Sequence, residues 1–238
     1  MPRTIFVTGA NQGLGMHTVH QLASTPDILV FMGSRKLAAA QEALSKFASD
    51  VHSSSAVIPV QLDITDKASI AAAHTLVSET LKERGVSGLD VLINNAAIFV
   101  HSFEDTYAVN VFGTVALTEA FRPLLNLNKG GAAILNISSG LGSMASYPKR
   151  PLPRPLFPAY ASSKAALNML TVQWAMQEEE RGSGVRVVCI CPGYNATNLN
   201  NYAGTMSPVD GCKVIVKAAL EKEGKTGIFF NKDGENAW

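Results

Sequence analysis

Short runs of apolar, often β-branched residues recur along this chain, and an amphipathic stretch follows nearly every one. The runs Thr4–Val7, Ile28–Met32, Val57–Gln61, Val91–Ile93, Ala133–Ile137, Val185–Ile190 and Gly227–Phe230 read as strands. Gly13–Ala23, Lys36–Ala48, Ser69–Arg84, Phe103–Leu127, Tyr160–Glu180 and Val209–Leu220 read as helices. The strands are apolar almost throughout instead of alternating, the pattern of strands covered on both faces. Alternation of strand and helix predicts an α/β fold with a doubly wound parallel sheet between two helical layers. Right-handed crossovers then leave few topologies. Neither a fixed repeat nor a shift of composition divides the 238 residues, so one domain over 1–238 is the expectation. A hydrophobic content of 47% is ample for its core.

Several function classes are excluded at this level. The formal net charge is +1, too little to draw the chain to nucleic acid or an anionic membrane. No apolar run approaches the ~18 residues of a membrane span, and Met1–Thr4 leads into a strand without the apolar core of a signal peptide. Cys189, Cys191 and Cys212 read as buried, reduced thiols. A Cys-x-Cys pair lacks the three or four ligands of a zinc site. His17, His20, His52, His74 and His101 have no metal-ligand spacing; only His101 falls near the expected ligand edge. No metal is expected, and the location expected is cytoplasmic.

Doubly wound sheets bind ligands beyond the carboxyl ends of their strands. After the first strand comes Thr8-Gly9-Ala10-Asn11-Gln12-Gly13-Leu14-Gly15. Its glycines permit a tight turn and close approach of backbone to ligand. The following helix directs free amides and the positive end of its dipole there, which suits a pyrophosphate. The spacing Gly-x3-Gly-x-Gly is neither the commonest dinucleotide fingerprint nor a P-loop. A purely structural turn is the alternative. The second strand ends at Gly33-Ser34-Arg35-Lys36, where NAD-binding folds carry an acid for the ribose hydroxyls. A guanidinium there pairs with a 2′-phosphate, favouring NADP(H) over NAD(H). The bland alternative is that Arg35 and Lys36 only solvate a helix start. Farther on, Tyr160 and Lys164 stand one helical turn apart. An ammonium there would favour phenolate and bring the Tyr160 pKa below its usual ~10. Such a phenol can give a proton to a carbonyl oxygen as hydride reaches the carbon. Ser139, at the end of the preceding strand, offers a hydroxyl to hold that oxygen.

Taken in order, these segments resemble the short-chain dehydrogenase/reductase family, of the compact type with a Rossmann fold, over nearly the whole chain. The matching motifs are Thr8–Gly15, Asp63 in Leu62-Asp63-Ile64, Asn94-Asn95-Ala96-Ala97, Asn110 in Val109-Asn110-Val111, Ser139, Tyr160-x-x-x-Lys164, and Pro192-Gly193 with Thr197. The resemblance implies that Tyr160 is the acid/base and that Ser139 bonds the substrate carbonyl. Lys164 would bind the nicotinamide ribose and lower the Tyr160 pKa. Asn110 would kink its helix and hold a water relaying protons to Lys164. Asp63, with Ile64 beside it, would meet the adenine. Gly9, Asn11, Gln12, Gly13, Leu14, Gly15, Ser34 and Arg35 would hold the phosphates. Asn94, Asn95, Ala96 and Ala97 would line the cofactor. Pro192 and Gly193 would frame the nicotinamide, and Thr197 would reach its amide or the pyrophosphate. The first loop, the basic end of the second strand and the tail Gly227–Trp238 are most similar to the monomeric carbonyl reductases of the family.

Three departures stand out. Ala97 occupies a position where the family usually has Gly. Gln12 replaces the cation of many NADP-dependent relatives, leaving Arg35 as the main phosphate partner. The stretch from Ser139 to Tyr160 is longer than usual, and the excess is a proline-rich, basic tract over 147–158. Prolines stiffen such a tract by fixing φ. It reads as a pocket wall, with a plain surface loop or a polyproline docking motif as alternatives. Pocket loops are thus expected at about 140–159 and 194–208, the second carrying Tyr194, Leu199 and Tyr202 as candidate apolar walls. The run Glu178–Arg181 reads as a solvated helix end. The expected activity is NADP(H)-dependent reduction of a small-molecule ketone or aldehyde, or oxidation of the alcohol, by a monomer or homodimer. A dinucleotide-sensing regulator on the same fold is the alternative; epimerisation or dehydration is disfavoured.

Overall fold

The computed structural model describes residues 1–125, 130–149 and 156–238. Eight strands form one sheet: β1 Arg3–Val7, β2 Ile28–Ser34, β3 Ala56–Gln61, β4 Val91–Asn94, β5 Ala133–Ile137, β6 Arg186–Ile190, β7 Ile228–Asn231 and β8 Gly234–Glu235. Their order is β3-β2-β1-β4-β5-β6-β7-β8. Strand order therefore reverses between β1 and β4, which pair in parallel with Ile5 beside Val91 and Val7 beside Ile93. A crevice opens at such a reversal, so the loops after β1 and β4 are the first places to look for a site.

Alternate residues of each strand feed opposite layers. Phe6, Phe31, Leu92 and Ile134 pack toward α3 (Lys67–Glu83), α5 (Thr114–Leu125) and α6 (Pro158–Glu180), where they meet Val77, Phe121 and Trp174. Ile5, Val7, Val30 and Ile93 face the other way, toward α1 (Gly13–Ala23), α2 (Leu37–Ser45) and α8 (Lys213–Leu220), and meet Val19, Ala40 and Ile215. Both faces are apolar because both are buried, which is why the sequence shows continuous runs. Pro59 is tolerated because β3 is an edge strand.

Four features differ from expectation. The sheet is not wholly parallel: β8 runs antiparallel to β7 through Phe230–Glu235 and Asn231–Gly234. Two residues carry no periodicity, so this strand has no sequence signal. The expected helix over 103–127 is three segments within the described residues: α4 (Phe103–Tyr107), a π-helical stretch at Ala108–Gly113, and α5. Leu127 lies outside the described residues. The helix expected over Val209–Leu220 is broken at Cys212 between α7 (Pro208–Gly211) and α8. Finally, Glu178 is not solvated. It is 2% exposed and receives the Arg122 guanidinium, itself 3% exposed, from α5. Arg181 adds a second contact at 3.1 Å. No helix among the described residues is long and apolar enough to cross a membrane.

Candidate active site

The first loop is shaped by bonds from the loop after β4. The Thr8 hydroxyl accepts from the amides of Asn95 at 3.0 Å and Ala96 at 2.9 Å. The Asn95 side-chain amide donates to the carbonyls of Thr8 at 2.8 Å and Gly9 at 3.2 Å. The two loops flanking the crevice thus form one unit. Gly9 sits at φ +60, and a Cβ there would come 2.9 Å from Ala96 Cα. A Cβ on Gly15 would come 2.5 Å from Asn95 Nδ2 and 2.6 Å from the Gly9 carbonyl. Glycine is demanded at both by space, and at Gly9 also by backbone conformation. Helix α1 has no acid in its first turn, and Gln12 gives it no side-chain cap. Its first amides are therefore available to an anion. Asn11, Gly13 and Leu14 are half-buried along this rim, and Gln12 is exposed.

At the end of β2, Ser34 is buried and its hydroxyl donates to the Lys36 carbonyl at 3.0 Å. Arg35 is exposed. Asp63 stands across from it: its carboxylate accepts from the Thr65 hydroxyl at 2.6 Å and the Thr65 amide at 2.9 Å. These two bonds, with a smaller contribution from the Arg35 charge, hold its pKa below the usual carboxylate value. The Ile64 side chain is packed in the core, 6% exposed.

Asn94 does not line the crevice. It is 4% exposed, and its amide donates to Thr118 Oγ1 at 2.9 Å and Asn136 Oδ1 at 2.8 Å. Asn136 in turn donates to Thr171 Oγ1 at 2.9 Å. Alternation along β4 sends adjacent asparagines to opposite sides, so only Asn95 reaches the first loop. Ala96 and Ala97 follow it, half-buried.

Asn110 lies in the π-helical stretch, 1% exposed. Its Oδ1 accepts from the Ile98 amide at 2.8 Å, and its Nδ2 donates to the Ile98 carbonyl at 3.0 Å and Ser163 Oγ at 3.1 Å. Ser163 Oγ donates onward to the Tyr160 carbonyl at 2.8 Å. The loop after β4 is thereby tied to α6 beside Lys164. Ser163 carries this link without any motif to announce it.

Tyr160 and Lys164 share one face of α6 and are 9% and 3% exposed. Lys164 Nζ lies 5.7 Å from the Tyr160 ring centroid and donates to the Ile137 carbonyl at 2.8 Å. The edge of the Phe99 ring packs on Tyr160, with centroids 4.8 Å apart at 73°. The expected lowering of the Tyr160 pKa is not what this arrangement produces. Burial raises it, and the neighbouring Cys191 adds to the rise. Burial also lowers Lys164 to about 8. The reason is that both groups are desolvated and the ammonium is directed at a strand carbonyl. Cys191 is half-buried here, unlike the fully buried Cys189 and Cys212. Ser139, half-buried, is extended at φ -150, and its hydroxyl accepts from the Leu141 amide at 3.2 Å. The turn after it rests on α6, since a Cβ on Gly142 would come 2.7 Å from the Lys164 carbonyl carbon.

After β6, Asn195 organises the last loop. It is 4% exposed, and its Nδ2 donates to the carbonyls of Pro192 at 2.9 Å and Gly193 at 3.0 Å. Its own carbonyl accepts from Asn200 Nδ2 at 2.9 Å. A Cβ on Gly204 or Gly211 would fall 2.1 Å or 1.8 Å from Asn195 atoms. Thr197 is buried and lies against Gly13, with its Cγ2 3.5 Å from where a Cβ would stand. A cleft of about 400 Å³ runs here, lined among others by Asn11, Gln12, Gly13, Thr197 and Tyr202. Its lining includes neither Tyr160 nor Ser139, so it belongs to the first-loop side of the crevice. Tyr194, Leu199 and Tyr202 are exposed, and Tyr202 adopts φ +60 after Asn201 at φ +50. His101 is exposed. Of the proline-rich tract, residues 150–155 lie outside the described residues.

The chain is similar to known proteins over most of its length. Residues 3–207 match the family model described as short chain dehydrogenase. The short-chain dehydrogenase anuI of Penicillium roqueforti is 34% identical over 248 residues, covering 98% of this chain and 94% of that one. The NADPH-bound carbonyl reductase from chicken fatty liver superposes with a TM-score of 0.82 at 32% identity, over 100% of this chain and 99% of that one. The carbonyl reductase Sniffer of D. melanogaster gives a TM-score of 0.82 at 27% identity, over 100% of both chains.

Proposed function

The chain belongs to the short-chain dehydrogenase family, and on that premise we propose that it is an NADP(H)-dependent oxidoreductase that reduces a ketone or aldehyde, or oxidises the corresponding alcohol. The observation that carries this reading is the pair Tyr160 and Lys164, buried one turn apart on α6 against the turn that follows Ser139. Burial of a phenol and an amine together costs free energy that a packing role does not require.

The residues at the first loop fit a dinucleotide. Because Gly9 and Gly15 lack side chains, the first loop closes on Ala96 and Asn95, and the open N-terminus of α1 suits the phosphates. Gly9, Asn11, Gln12, Gly13, Leu14 and Gly15 would hold the pyrophosphate. Asp63, Asn95, Ala96, Ala97, Pro192, Gly193 and Thr197 would line the rest. Arg35, exposed at the end of β2, supports a 2′-phosphate over a bare ribose. The bound NADPH of the chicken carbonyl reductase supports the same choice. When bound, such a dinucleotide would supply hydride to the carbonyl carbon, or accept it in reverse.

The remaining work falls to the chain. Ser139 Oγ holds the substrate oxygen, and Tyr160 donates its proton to that oxygen. A phenol whose pKa is raised keeps this proton until negative charge develops on the acceptor. Lys164, whose ammonium lies beside the Tyr160 ring and donates to the Ile137 carbonyl, would bind the nicotinamide ribose. Asn110 fixes the backbone of α6 beside both groups through Ser163. One domain spanning 1–238, with a pocket wall at about 194–208, suits this assignment, as does a cytoplasmic setting rich in NADPH. The test is NADPH oxidation with a panel of aldehydes, ketones and quinones. Wild-type protein should turn over and Tyr160→Phe should not, while NADPH binding by fluorescence titration persists in both. Full activity in the variant, or tight NADPH binding with no turnover by wild type on any substrate, would overturn the assignment.

A further inference from the structure

We propose that the chain's closing segment sets the position of the Ser139 turn, with Ser143 and Trp238 as positioning residues for the carbonyl site. This rests on the reading that Ser139 holds the substrate oxygen.

Strand β5 ends at Ile137, so Ser139 lies beyond the last ladder bond of the sheet. On its inner side the turn rests on α6: Gly142 packs on Lys164, and Asn168 Nδ2 donates to the Gly142 carbonyl at 3.2 Å. On its outer side apolar burial gives little, since Met144 is 80% exposed. Hydrogen bonds to residues almost a hundred positions later take its place. Ser143 is 1% exposed, and its hydroxyl donates to the Ala237 carbonyl at 2.8 Å while accepting from the Ser146 amide at 3.0 Å. The Ala145 amide donates to the Trp238 carbonyl at 2.8 Å.

The segment making these bonds is itself held to the sheet. The Asn236 amide donates to the Phe229 carbonyl at 2.7 Å, and Asn231 Nδ2 donates to Asn236 Oδ1 at 3.0 Å. The Trp238 ring stacks on Phe229, with centroids 5.6 Å apart at 26°. Phe229 is 1% exposed and pairs in register with Cys189 of β6. A continuous path therefore runs from the sheet core through Phe229 and Trp238 to Ala145, and through the adjoining Ala237 to Ser143, four residues past Ser139. Removing the indole frees the Trp238 backbone, releases Ala145 and takes this support away from the outer side of the Ser139 turn.

Trp238→Ala, Trp238→Phe and Ser143→Ala would be compared with wild type in NADPH-dependent reduction and in amide hydrogen exchange. Small displacements of a group that orients substrate cost up to ~100-fold in rate. Trp238→Ala and Ser143→Ala should therefore lose about tenfold or more in kcat/KM for the carbonyl, with KM for NADPH within about twofold. Trp238→Phe, which keeps a ring on Phe229, should recover most of the loss. The amides of Ala145, Ser146 and Tyr147 should exchange at least about tenfold faster in Trp238→Ala, while those of β1 and α1 stay protected. Unchanged exchange at 145–147 overturns the brace. Faster exchange with unaltered kinetics overturns its effect on Ser139, and an equal loss in NADPH KM reduces it to general destabilisation. If wild type reduces no carbonyl on the panel, the functional reading fails, and the exchange data still decide the brace.

Discussion

Lys164 makes the site's electrostatics measurable without a substrate. Burial takes its pKa from an ordinary 10.5 down to about 8. Below pH 8 the ammonium is charged in both folded and unfolded chains, and the fold bears the full cost of burying it. Between about 8 and 10.5 the unfolded chain keeps a proton that the folded chain has lost, so stability rises with pH through that window. Each tenfold difference in proton affinity is worth about 1.4 kcal/mol, which puts the full cost near 3 kcal/mol and the part recovered between pH 7.0 and 9.5 near 2 kcal/mol. Other groups titrate in the same range. Burial raises Cys189 to about 11, for example, which makes stability fall as pH rises above the thiol's usual value. Lys164→Met cancels such contributions, because it changes the amine and little else in volume. Urea unfolding of wild type and Lys164→Met at pH 7.0 and 9.5 gives four free energies. The stability of wild type relative to the variant should rise by about 2 kcal/mol at the higher pH. A relative stability that stays constant within about 0.5 kcal/mol, or falls, would refute the claim that burial governs this amine.

Other perturbations separate the remaining parts. Arg35→Ala should raise KM for NADPH about tenfold or more and leave KM for NADH nearly unchanged; equal effects in steady-state assays would remove Arg35 from phosphate binding. Gly15→Ala forces a methyl against Asn95 Nδ2 and the Gly9 carbonyl, and should lower stability by about 1–3 kcal/mol in chemical denaturation while weakening NADPH binding. Glu178→Ala leaves the buried Arg122 guanidinium with Glu119 and Gln177 as its remaining side-chain partners, and should cost about 1–3 kcal/mol in urea unfolding with no change in KM for NADPH.

What could be read from the sequence was what repeats locally. The strands announced themselves because a sheet covered on both faces needs consecutive apolar residues, and Ala133–Ile137 and Gly13–Ala23 were legible to the residue. The π-helical stretch at Ala108–Gly113 was foreshadowed only by the resemblance, as a kink at Asn110, since one widened turn leaves the apolar spacing of 103–125 almost unchanged. Glu178 looked like the start of a solvated acidic run because its partner, Arg122, lies on another helix. The Asn94-Asn95 dipeptide showed two amides without showing that the strand pleat sends one into the core and one to the loop. For Glu178 the missing information was a contact between distant segments.

That limit bears on how the site is held together. Thr8 is held by Asn95, Asn110 by Ile98 and Ser163, and Pro192 and Gly193 by Asn195. The first pairing joins loops that follow different strands, the second ties the loop after β4 to the π-helical stretch and to α6, and the last closes a loop on itself. Asn195 needs two neighbours without side chains, Gly204 and Gly211, to fit at all. A motif of short polar residues at the carboxyl edge is therefore not a set of independent contributors. It is a network in which most members satisfy one another's backbone groups, and few are left to face a ligand. The members with side chains not consumed in this way, Tyr160 above all, are the ones for which substitution should reduce turnover without loosening the fold. Those inside it, such as Asn95 and Asn195, should lose both together when replaced by alanine.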